Sequence, residues 1–161
     1  MSQQPLAVCL AEALKTRSAA GVDLNQLVRE TGAWAVGLWK KVDETLVLCV
    51  FGVAEGFDPV VAAEFEAATQ SVPLDQTQLG IVNAAVFGRP ALARAEELSG
   101  DLRKSAGWLG RFGARCSLSC PVNSPAGELL GVIAVSWAES WQQEDSVPQR
   151  LLSLADQIGR D

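Results

Sequence analysis

The chain contains no histidine and no tyrosine, and its single methionine is Met1. Imidazole is the usual general base near neutral pH and the commonest nitrogen ligand of metals. Without it the Ser-His and Cys-His nucleophile pairs are gone, as are most zinc sites. Haem loses its histidine and tyrosine ligands too, and the terminal methionine does not replace them. Positive charge is scarce and scattered. Lys and Arg number 13 against 19 Asp and Glu, a formal net charge of −6 with a pI near 4.7. No basic run is longer than two residues, as at Lys40-Lys41. Binding nucleic acid needs a concentrated positive face, so no nucleic-acid partner is expected. No apolar run approaches the roughly 20 residues that span a bilayer. The opening "MSQQPLAVCLAEALKTR" has Glu12 where a signal sequence needs apolar residues, and it lacks a basic start. The expectation is a cytoplasmic protein with no membrane partner, its four cysteines kept as thiols.

What is present suits one domain. The 161 residues are 48% hydrophobic, enough for a substantial core. Leu6, Cys9, Leu10, Ala13 and Leu14 fall at helical spacing. Asp23 suits a second N-cap, with Leu24, Leu27 and Val28 as its apolar stripe and Gly32 as its stop. "AWAVGLWKKVD" (33–43) and "TLVLCVFGVA" (45–54) read as a strand hairpin turning at Asp43-Glu44. Asp58 and Pro59 begin a helix over 58–70, with Val61, Phe65 and Ala68 as its buried stripe. A further helix spans 77–87 and closes at Gly88, and "PALA" (90–93) suits a short strand. Residues 94–113 lack a clean period and read either as a functional loop or as one short helix carrying Leu98, Leu102 and Trp108. "ARCSLSCPV" (114–122) and "LLGVIAVSWA" (129–138) form a second hairpin around "NSPAGE", and Val147, Leu151, Leu154 and Ile158 mark a last helix. Hairpins at both ends with helices between them predict an α+β domain on an antiparallel sheet.

Three stretches, in order, resemble the GAF domain: "AVGLWKKVDETLVL" (35–48), "LGIVNAAVFGRPALA" (79–93) and "CSLSCPVNSPAGELLGVIAVSW" (116–137). The resemblance implies one GAF-like domain over 1–161, with an antiparallel sheet of about six strands and helices on both faces. Outer helices would occupy 4–31 and 146–160, and the sheet and pocket 33–138. It also implies a small-molecule sensor, often paired through its outer helices. Bilin-binding members use a Cys-His pair that this chain cannot supply. The methionine-sulfoxide-reducing branch uses cysteines in its covering loop, and residues 94–113 contain none. The motif of cyclic-nucleotide-binding members is not recognisable, so no cofactor is assigned.

Cys116, Leu118 and Cys120 share one face of their strand. Two residues four apart are separated by about 13 Å in a strand, whereas a disulfide needs Cα atoms within about 7 Å. These thiols therefore neither bridge nor share a metal. They are buried apolar side chains, or one of them faces a pocket and reacts. Trp39, Trp108, Phe112 and Trp137, with Asn83, Cys116 and Leu118, are the candidate pocket residues, suited to a planar or apolar ligand. Leu6, Leu10 and Leu14 with Leu151, Leu154 and Ile158 are the candidate homodimer stripe, unless they pack on the domain's own sheet. The functional expectation is a non-enzymatic sensory or regulatory module that binds a small ligand or a signalling partner. The alternatives are a thiol-dependent reductase of the free methionine sulfoxide type and a ligand-free interaction scaffold.

Overall fold

A computed structural model describes residues 5–161; the expected start of the outer helices at residue 4 lies outside them. Six strands form one antiparallel sheet in the order β3-β2-β1-β6-β5-β4. They are β1 (Ala35–Val42), β2 (Thr45–Val53), β3 (Ser71–Pro73), β4 (Ala91–Arg94), β5 (Cys116–Asn123) and β6 (Leu129–Trp137). Helices α1 (Leu6–Thr16), α2 (Leu24–Thr31) and α6 (Ser146–Arg160) pack on one face. The other face carries α3 (Pro59–Ala68), α4 (Gly80–Phe87) and α5 (Arg103–Arg111).

Local chemistry explains the boundaries. The Asp23 carboxylate accepts the Gln26 N–H at the start of α2, and Gly32 ends that helix at φ 66°. Asp58 accepts the Val60 N–H ahead of Pro59, which opens α3. The β1–β2 turn uses Asp43 at φ 53°, a left-handed conformation that short polar side chains tolerate. Leu38 pairs with Val50 but Trp39 with Leu48, so Cys49 is the extra residue of a bulge. Gly131 sits where a Cβ would strike the Trp39 carbonyl, so only glycine lets β6 lie this close to β1.

Two differences from the sequence reading bear on the site. The helix expected from 77 begins at Gly80, whose N–H donates to Ser105 Oγ at 2.7 Å. The stretch 94–113 contains α5, which starts after Leu102 and carries Trp108, while Leu98 lies upstream and is exposed. The short β3 had no signal, because three residues are too few for a period.

The expected homodimer residues pack inside the domain. Leu6, Leu10, Leu14, Leu151 and Ile158 are buried in the core between the outer helices and the sheet, and Leu154 packs against it half-buried. An amphipathic stripe looks the same whether it meets its own sheet or another copy.

Candidate ligand cavity

Successive strand residues point to opposite faces. On the face away from the outer helices, pairing aligns two rows. Ala35 lies opposite Ser136 and Ser136 opposite Ser117; Gly37 lies opposite Ala134 and Ala134 opposite Ser119. Every member of these rows is alanine, glycine or serine. Helices laid over so low a floor do not fill the space above it, and a cavity of about 270 Å³ remains.

Trp39 forms one wall. Its ring crosses Gly37, where a Cβ would collide with it, and its Nε1 donates to the Thr69 carbonyl at 2.9 Å. The cover is aromatic. Phe65 of α3 meets Phe112 edge-on at 4.9 Å and Trp108 at 5.7 Å. Trp108 and Phe112 stack at 5.0 Å, and Phe51 of β2 stacks on Phe65 at 5.6 Å. Trp34 anchors the end of α5: its Nε1 donates to the Phe112 carbonyl at 2.9 Å, its ring lies 5.1 Å from Phe57, and its backbone N–H donates to Ser136.

Polar contacts at the rim are exposed. Arg111 pairs with Glu64, joining α5 to α3, and its guanidinium lies over the Trp108 ring. Lys104 Nζ donates to Gln76 Oε1 at 2.5 Å. Solvated contacts of this kind hold a cover weakly, at most about 1 kcal/mol each.

Among the described residues the lining contains no Asp, Glu, Lys, Arg or Cys. Its polar groups are hydroxyls and the Gln76 amide. Ser117 and Ser119 are 8% and 2% exposed, and their hydroxyls make no hydrogen bond within the described residues. No group of three or more Cys, Asp or Glu gathers as a metal site among those residues.

The candidate pocket residues divide. Trp39, Trp108 and Phe112 line the cavity. Cys116, Leu118 and Trp137 do not: strand parity turns them into the core beneath α1, α2 and α6. There the Cys116 thiol donates to the Glu139 carbonyl at 3.3 Å, and Trp137 Nε1 donates to the Thr31 carbonyl at 2.9 Å. Asn83 is buried in α4, outside the lining, and its amide donates to the Thr77 carbonyl. Burial pushes the Cys116 thiol upward, and desolvation pushes Cys120 up to about 12. A thiol reacts as its thiolate, so both shifts disfavour reaction. The floor serines, Ala134, Phe51 and Phe65 escaped sequence reasoning. The signal was nonetheless there: small residues recur at every second position in three strands.

A GAF domain family model matches residues 24–160. The chain belongs to the GAF domain family. Solved structures share the fold at low identity. The GAF domain region of a putative membrane protein from Geobacter sulfurreducens PCA is 14% identical with a TM-score of 0.64, over 84% of this chain and 85% of that one. The blue-light-absorbing form of the Thermosynechococcus elongatus PixJ GAF domain is 16% identical with a TM-score of 0.61, over 98% and 88%. The type II free methionine-R-sulfoxide reductase from Thermoplasma acidophilum is 19% identical with a TM-score of 0.59, over 93% and 92%. None of the curated proteins compared matches this chain. GAF domains are typically sensory or regulatory modules, and one of these neighbours is an enzyme on the same fold. No helix among the described residues is long and apolar enough to cross a membrane.

Proposed function

We propose that this GAF domain is a non-enzymatic sensory or regulatory module that receives a small molecule in the cavity between the sheet and the α3–α5 cover. One observation carries the reading. A cavity of about 270 Å³ is built on a floor of small residues and roofed by Phe65, Trp108 and Phe112. A tightly packed domain would fill that volume with side chains, because interiors pack nearly as densely as organic crystals. A cavity kept open by alanine, glycine and serine in three neighbouring strands fits a binding site.

The reductase alternative finds little support in the cavity. No cysteine lines it, and Cys116 and Cys120 face the other side of the sheet with raised pKa values. A signal would leave through the cover, whose hold on α3 is an exposed ion pair and a cluster of rings. Of the six expected homodimer positions five are buried within the domain, and Leu154, half-buried, is the one that keeps exposed surface for a second copy.

Native mass spectrometry of protein purified from its own host tests the reading. A retained small molecule is expected, lost in Ala134→Phe, which fills the floor, and kept in Cys116→Ala, which faces the outer helices. A bare mass in the unmodified protein, together with no thermal shift across a small-molecule library, would refute it.

A further inference from the structure

The cavity's charge and the placement of its hydroxyls narrow the class of ligand, on the reading that the cavity is a binding site. An ion taken out of water needs a compensating charge or several directed dipoles. Among the described residues none of the lining side chains is ionisable. Charged groups beside the lining already have partners: Arg111 is paired with Glu64, Lys104 is held on Gln76, and Asp75 accepts from the Gln76 amide. Helix α4 begins beside the floor serines, and its positive end could draw an anion. Its leading N–H, from Gly80, already donates to Ser105.

The hydroxyls are arranged as a patch. Ser117 and Ser136 are direct cross-strand partners, which sets their Cβ atoms about 5 Å apart. Ser119 lies two residues further along β5, about 7 Å from Ser117. A hydroxyl both donates and accepts, so three of them can meet neutral groups of either kind. Above them, Phe65, Trp108 and Phe112 present ring surface.

We propose that the ligand is an uncharged planar molecule, with hydrogen-bonding groups along the edge that meets Ser117, Ser119 and Ser136 and its ring against the aromatic cover. Charged molecules of the same shape are disfavoured because no ionisable side chain of the lining neutralises them.

Three isosteric probes test this: indole-3-carboxamide, indole-3-carboxylate and the indole-3-carboxamidinium cation. Each is titrated into the full chain and followed by NMR at the Trp108 indole signal. The carboxamide is expected to bind at least about tenfold more tightly than either ion. Ser119→Ala and Ser117→Ala should each weaken it by about fivefold, with spectra otherwise native, while Cys116→Ala should not. Carboxylate binding as tight as the carboxamide overturns the neutral-ligand inference and leaves the cavity as a binding site. Equal carboxamide affinity in Ser119→Ala and the parent overturns the hydroxyl edge. If none of the three probes binds while native mass spectrometry finds a retained molecule, the planar class falls and the binding reading stands.

Discussion

The two faces of the sheet are built from the same strands but behave as opposites. Towards α1, α2 and α6 the strands present Leu38, Leu118, Ile133, Val135 and Trp137, each fully buried or nearly so. Towards α3 and α5 they present Ala35, Gly37, Ser117, Ser119, Ala134 and Ser136 around a cavity. Alternation along a strand makes this possible, since one residue step changes the face. The difference teaches that one sheet can hold a domain together on one side and leave a cavity on the other.

Substitutions on adjacent residues should expose that contrast. The largest effect is expected from Leu118→Ala on the packed face, which removes a fully buried side chain and should cost about 3 kcal/mol in urea unfolding. Its neighbour Ser119→Ala should stay within about 1 kcal/mol, because its hydroxyl has no hydrogen-bond partner to lose among the described residues. Equal losses at the two positions would erase the distinction. Overpacking gives the next contrast. Val135→Phe should cost about 2 kcal/mol, whereas Ala134→Phe has room to enter and should leave the melting temperature nearly unchanged.

Alkaline pH probes the packed face through the Cys120 thiol. Desolvation raises the folded pKa of Cys120 from 9.0 to about 12. Above the unfolded value the unfolded chain releases this proton and the folded chain keeps it. The stabilisation is therefore complete below about pH 9 and declines as pH rises towards 12, by about 1 kcal/mol at pH 10. Denaturant midpoints across pH 8–11 should fall more steeply in the parent than in Cys120→Ala, with no tyrosine present to add its own titration. Parallel slopes would mean that this thiol is not desolvated. The smallest effect is expected at the cover. Glu64→Gln leaves Arg111 without its partner at an exposed site and should change global stability by less than about 0.5 kcal/mol, while hydrogen exchange at α5 quickens.

Much of the architecture was legible in the sequence because local signals and tertiary packing agree. Asp23 and Asp58 cap where their positions promised, and both hairpins turn where polar residues cluster. The site was harder. Cys116 and Trp137 drew attention because thiols and indoles carry chemistry, yet parity buries them under the outer helices. Serine and alanine carry little chemistry, and their alternation in "CSLSC" and "VIAVSW" held the information. Helix α5 was legible only as one of two readings of 94–113, because Gly107 and Gly110 interrupt its period, and glycine costs a helix about 1 kcal/mol relative to alanine. Phe65 read as core because an aromatic side chain over a cavity has the same helical spacing as one over a packed sheet.

Trp34 ties these regions into one mechanical linkage. Its indole grips the last turn of the roof at Phe112, its backbone is pinned to Ser136 at the floor, and Gly32, two residues upstream, ends α2 on the opposite layer. The roof therefore cannot tilt far without either breaking that grip or pulling on the segment that leads to the far side of the sheet. A single residue thus joins the cover of the chamber to the segment that follows the helix behind it.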